Sequence, residues 1–212
     1  MARYRLEGGR ILDLEVMPAA APLLRVAVLG RRLLRGELAA AVGRALEAAG
    51  APTVAAIGLV LADDATLAEL NEAHMGHRGP TDVLSFPLLP PEAFPPHPGA
   101  AHAAPAGGDA VSPGAAGFAL PGAFALPPHV RPQLGEIVVS VERAVAQARG
   151  GSGGWTGDVR WDSADELLLL ATHGVLHVCG WDHAVPAERD AMRALESSLL
   201  ARAGAGPVPS TP

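Results

Sequence analysis

The run Thr172-His173-Gly174-Val175-Leu176-His177-Val178-Cys179-Gly180-Trp181-Asp182-His183 constrains this chain more than any other segment. It reads H-x-x-x-H-x-x-G-x-x-H. A spacing of four places His173 and His177 on one face of a helix, about 40° apart around the axis and about 6 Å apart along it. Two imidazoles so placed can grip one metal ion. His183 cannot join them from the same helix, because it would lie about 9 Å further along the axis. The chain must therefore turn, and Gly180 stands where a turn needs a residue tolerant of positive φ. A helix, a glycine stop and a third histidine form a three-nitrogen cup with one open position, the pattern of a catalytic rather than a structural zinc site. Zn²⁺ suits three neutral nitrogens, and Ni²⁺, Co²⁺ or Fe²⁺ would also fit.

The same histidine spacing occurs in metzincin proteases, where a glutamate directly after the first histidine acts as general base. Here Gly174 occupies that place. Without that base, peptide hydrolysis on this template loses the step that deprotonates the attacking water. Around the histidines, Asp182 is read either as a carboxylate orienting a ligand imidazole or as a turn residue. Trp181 is read as a packing residue against the site helix, with stacking on a base as the alternative. Cys179 follows His177 by two, off the metal face, and reads as a small core residue.

The histidine segment belongs to an intermixed pattern of helices and strands. Arg35 to Ala49 reads as a helix, with Leu38, Val42 and Leu46 recurring every four residues. Val54 to Leu61 is apolar throughout and reads as a central strand. Asp63 or Asp64 can cap the next helix, which has Leu67 and Leu70 facing inward. Val83 to Pro87 and Gly135 to Ser140 read as strands, and Val141 to Arg149 as a helix. Asp162 to Val178 is the long site helix, capped by Asp162 or Ser163. Pro186 starts a last helix that runs to about Ala203. Leu24 to Leu29 reads as a short β-like run. The expectation is an α+β (mixed α/β) fold: a small, roughly four-stranded mixed sheet with about five helices and the zinc-site helix at a cleft.

Residues 1–22 read as an N-terminal extension with a short strand at Arg10 to Val16. Residues 23–203 read as a single domain. From about residue 88 to 132 the chain is rich in Pro, Ala and Gly with little charge and no period, a flexible insertion within that domain. Gly150 to Gly157 reads as a second mobile loop, and residues 204–212 as a frayed tail. His97, His102 and His129 fall in the insertion and receive no role. His74 and His77 precede Arg78-Gly79-Pro80-Thr81-Asp82, where they could bind phosphate or a second metal, or simply belong to a polar loop. Asp165, Glu166 and Glu188 to Asp190 sit at helix starts and read as caps or solvated faces.

The chain has 212 residues, enough for one sizeable core, and a single cysteine, so no internal disulfide can form. That fits a reducing compartment. No basic stretch followed by an apolar one opens the chain, and no apolar run approaches 20 residues. A cytoplasmic soluble protein with no membrane partner is the expectation. The net charge of −6 argues against a protein that coats nucleic acid without specificity. It leaves room for a local basic cluster at Arg25, Arg31, Arg32, Arg35 and Arg44.

Three segments in this order and context carry a resemblance. They are Leu70-Asn71 followed by Gly79-Pro80-Thr81-Asp82-Val83-Leu84-Ser85-Phe86-Pro87, then Leu134-Gly135-Glu136-Ile137, then His173 to His183. Together they resemble the YbeY endoribonucleases over roughly Leu24 to Ala203, apart from the insertion. The resemblance implies a single-strand-specific, zinc-dependent endoribonuclease of the bacterial cytoplasm. It implies a role in maturing the 3′ end of small-subunit ribosomal RNA and in ribosome quality control. The partners would be single-stranded RNA, a ribosomal RNA precursor and the ribosome or its small subunit, with no DNA expected. The family's zinc ligands fall on His173, His177 and His183. An arginine is common in that family before Gly-x-x-x-Pro-Thr, where this chain has Met75. Arg78, three residues on, is the candidate for supplying charge to the transition state in its place. The rival readings are a ribosome-assembly binding factor whose metal is mainly structural, and a zinc hydrolase of another small substrate.

Overall fold

A computed structural model describes residues 1–27, 34–98, 130–150 and 161–202. The expected α+β fold is present as one mixed sheet of five strands with six α-helices among the described residues. The strands are β1 (Ala2–Arg5), β2 (Ile11–Val16), β3 (Ala56–Ala62), β4 (Val83–Pro87) and β5 (Gln133–Ser140). Their order across the sheet is β1-β2-β3-β5-β4. The pairs β2–β3 and β3–β5 are parallel, whereas both edge strands, β1 and β4, run antiparallel to their neighbours.

The helices are α1 (Ala20–Ala27), α2 (Leu34–Ala48), α3 (Asp64–Met75), α4 (Val141–Gly150), α5 (Ser163–Val178) and α6 (Pro186–Arg202). Two expectations are corrected here. The short strand expected at Arg10 to Val16 is β2, with Leu12 and Leu14 alternating into the core as a half-buried strand requires, but Ala2–Arg5 adds an edge strand, β1, that was not expected, so the sheet has five strands rather than roughly four. The segment from Leu24 is the second. It continues α1 as far as Ala27, and residues 28–29 of the expected strand lie outside the described residues. A short apolar run does not distinguish strand from helix by period alone.

The larger core lies on one face of the sheet. Ile57, Leu59, Leu61, Ile137 and Val139 meet Leu38, Val42 and Leu46 of α2 and Leu167, Leu168, Ala171 and Val175 of α5. Each such leucine or isoleucine contributes about 1.5–3 kcal/mol through burial. On the other face Val138 and Leu84 pack with Ala62 and Leu67 under α3. Asp63 caps α3 by accepting from the Thr66 amide at 3.0 Å. No described helix is long and apolar enough to cross a membrane.

Helix α5 is the spine that positions the site. Asp162 accepts from the amides of Ala164 and Asp165, while the Asp165 carboxylate accepts from the Asp162 amide at 3.1 Å, a reciprocal cap. Of the two roles expected for the acidic groups at the starts of α5 and α6, caps or solvated faces, Asp165 takes the first. Asp165, Glu166 and Glu188 are all buried, and only Asp190 is well exposed. The core of the region expected to be an insertion, residues 99–129, lies outside the described residues, as do His102 and His129, the loop at 151–160 and the tail from 203.

Candidate metal centre

The end of α5 is closed by hydrogen bonds that sequence spacing alone suggested. The Gly180 amide donates to the His177 carbonyl at 3.0 Å and the Trp181 amide to the Leu176 carbonyl at 3.0 Å. This is a Schellman stop, and Gly180 takes the left-handed conformation it requires, with φ +85°. The reversal carries His183 back toward α5. Ligand atoms of His173, His177 and His183 all lie within 4.8 Å of one another. Among the described residues, no other group of three potential ligands converges in this way.

The hydrogen bonds decide which nitrogen each ring presents. The Nδ1–H of His177 donates to the Trp181 carbonyl at 2.9 Å, and the Nδ1–H of His173 donates to the Glu196 carboxylate at 2.7 Å. A carbonyl and a carboxylate can only accept, so both Nδ1 hydrogens are committed. The two Nε2 atoms then face each other at 3.0 Å. Two lone pairs at that distance repel unless a cation lies between them. A proton satisfies the pair, and a metal ion satisfies all three rings. Tetrahedral bonds of about 2.0–2.1 Å place two ligand nitrogens about 3.3 Å apart, close to the spacing found. The residues present therefore fit a divalent metal with three imidazoles and an open position. Burial, with the nearby His173 and His183, pushes the His177 pKa down to about 4, which keeps this ring in the neutral, metal-binding form near pH 7.

Glu196 is the partner of His173 that spacing did not reveal. It lies on α6, 23 residues beyond His173, and its side chain is 6% exposed. No sequence signal marked it, because only the packing of α6 against α5 buries it beside Met192, Leu199 and Leu200. Asp182, expected beside the ligands, accepts from the His183 amide at 2.7 Å through Oδ1, and its own amide donates to Glu188 at 2.9 Å. It braces the turn that carries His183, and its charge favours the protonated form of His177. Trp181 and Cys179 are buried as expected, and burial pushes the Cys179 thiol up to about 12, the state of an unreactive core thiol.

Gly174 faces the sheet rather than the three imidazoles. A Cβ there would stand 2.5 Å from Cγ2 of Ile137 and 3.3 Å from Oγ of Ser85. The glycine lets α5 rest directly on β4 and β5, and Ser85 donates to its carbonyl at 3.2 Å. The 78–86 segment and the histidine motif are thus immediate neighbours. Arg78 lies on the loop before β4 with its side chain 92% exposed, 3.6 Å from Glu72. Met75 ends α3 and is partly exposed. His74 meets the ring of Phe86 edge-on, with centroids 5.2 Å apart.

The sequence model of a family described as Endoribonuclease YbeY matches residues 32–204. A protein of that name from Symbiobacterium thermophilum is 34% identical over 163 residues, covering 76% of this chain and 81% of the relative. Another from Moorella thermoacetica is 36% identical over 172 residues, covering 79% and 88%. One from Salinispora tropica is 36% identical over 157 residues, covering 74% and 80%.

Proposed function

This chain belongs to the endoribonuclease YbeY family, and on that premise we propose that it is a zinc-dependent endoribonuclease that cuts single-stranded RNA. Its substrate in the cell is a ribosomal RNA precursor, cut toward the 3′ end of the small-subunit RNA, and it acts in the cytoplasm with the ribosome or its small subunit. The observation that carries the metal part of this reading is the 3.0 Å approach of the His173 and His177 Nε2 atoms with both Nδ1 hydrogens already committed.

In this reading His173, His177 and His183 hold the ion. Bound there, a divalent metal supplies Lewis acidity toward a phosphodiester oxygen and activates water near neutral pH. The protein does the rest. Glu196 and the Trp181 carbonyl fix the ring orientations of His173 and His177. Arg78, 92% exposed and paired loosely with Glu72, can turn toward an RNA phosphate and stabilise charge in the transition state. No carboxylate base follows His173, and the backbone at Gly174 has no room for one. RNA offers its own 2′-hydroxyl as nucleophile, which a peptide cannot.

Cleavage of a ribosomal RNA precursor and of a matched duplex tests the reading, with His177→Ala as control. The reading expects cuts in the single strand only, lost in a variant that remains folded. Cutting that survives in the folded variant would contradict it and leave a mainly structural metal. Product ends report the nucleophile, since a 2′,3′-cyclic phosphate excludes direct attack by water.

A further inference from the structure

His97 stands at the end of a short strap, residues 88–98, that runs over the turn between α5 and α6. Phe94 of the strap is buried, and Pro91 lies against Gly180, where an added Cβ would meet it at 3.1 Å. The His97 ring stacks on the Trp181 indole with centroids 4.2 Å apart and planes 15° apart. Its Nε2 is 2.6 Å from Oε1 of Glu188, and the two side chains are 9% and 4% exposed. That same carboxylate oxygen accepts from the Asp182 amide at 2.9 Å. Asp182 in turn accepts from the His183 amide, and the Trp181 carbonyl accepts from His177. Every one of these partners lies on, or grips, the turn that delivers the third histidine.

We propose that His97 is a positioning residue for the metal centre: by clamping Trp181 and Glu188 together, it sets the 180–183 turn and so the distance of His183 from the other two imidazoles. This rests on the reading of the three histidines as metal ligands. A buried carboxylate shared between a ring nitrogen and a backbone amide holds both only while both donors are present. Without His97, Glu188 keeps one donor, Trp181 loses its stacking partner, and the turn gains freedom. His173 is held independently by α5 and Glu196, whereas His177 is held by α5 and by the Trp181 carbonyl, which the helix stop also anchors through the Trp181 amide. The cost of losing His97 therefore falls first on the third ligand, which has no such helix beneath it.

The test uses the full chain, stripped of metal and titrated with Zn²⁺ against a chromophoric chelator, then with Co²⁺ to read the ligand-field absorption. His97→Ala is expected to weaken Zn²⁺ binding about tenfold and to change the Co²⁺ bands, as loss of an outer-shell partner does. His97→Gln keeps a planar amide against Trp181 and a donor to Glu188, and it should recover most of the affinity. His97→Leu keeps bulk without the donor and is read in place of the alanine variant if that one does not fold. A general loss of packing would lower Tm in all three variants without the glutamine rescue and without moving the Co²⁺ bands. A parent chain that binds no metal overturns the metal reading and this proposal together. A parent that binds, with alanine or leucine variants matching its affinity and Co²⁺ spectrum, overturns this proposal alone.

Discussion

Glu196 of α6 accepts a 2.7 Å hydrogen bond from Nδ1 of His173, joining the last helix to the first ligand of the candidate metal centre. The bond turns Nε2 of His173 toward His177 and makes the carboxylate part of the site. Glu196→Ala should weaken Zn²⁺ binding about 10–100-fold, with Glu196→Gln intermediate because its amide oxygen still accepts. Chelator competition on the two purified variants checks this. Equal affinity in all three proteins would show that the bond does not orient the ligand.

Gly174 lies against the sheet, so its substitution acts on packing. Gly174→Ala forces a methyl against Ile137 Cγ2, where the Cβ distance would be 2.5 Å. Overpacking of this kind costs about 1–3 kcal/mol, and each kcal/mol lowers Tm by about 2–4 °C in a chain of this size. Thermal melts should show that loss. For the same reason Gly174→Glu should unfold the site rather than create a peptidase, which a casein-digestion assay would report.

The metal-free protein should lose stability in acid through His177. Its pKa falls from about 6.5 in the unfolded chain to about 4 in the folded one. Between those values the unfolded state binds the extra proton. The stabilisation is therefore complete above about pH 6.5 and is lost as pH falls toward 4, by at most about 3 kcal/mol. Chemical denaturation of metal-free parent and of His177→Asn across that window should show the parent losing stability more steeply toward pH 4, because the asparagine does not titrate. Parallel profiles would contradict the assignment.

Glu166 carries the opposite shift. Burial raises its pKa, against the hydrogen bond from Trp161, and the nearby charges of Asp82 and Asp165 raise it further. A raised carboxyl pKa means that ionisation disfavours the folded state as pH rises. Glu166→Gln should therefore melt higher than the parent near pH 8. The advantage should disappear in acid, where Glu166 takes up its proton.

The convergence of His173, His177 and His183 was legible in the sequence because its geometry is local: one helical turn, then one glycine stop. The same holds for the Asp63 and Asp162 caps. What was not legible lies in packing between distant segments. Glu188 and Glu196 resemble ordinary polar positions on a surface helix until α6 is laid against α5 and the turn. His97 meets Glu188 across 91 residues, from a stretch whose composition suggested no order at all. β1 was missed because Ala2-Arg3-Tyr4-Arg5 has too few apolar residues to announce a strand. It is held at the sheet edge by its pairing with β2, by the ion pair of Arg3 with Asp13 and by the partly buried Tyr4 against the core. The run from Leu24 misled because six apolar-rich residues fit either period.

The most direct measurement of the central claim is metal content coupled to cleavage in one preparation. The account predicts about one equivalent of zinc per chain, and far less in folded His173→Ala. Removal of the metal should abolish cutting of single-stranded ribosomal RNA, and stepwise return of Zn²⁺ should restore it up to that one equivalent. Full cutting by the metal-free chain, or by folded His173→Ala, would contradict it.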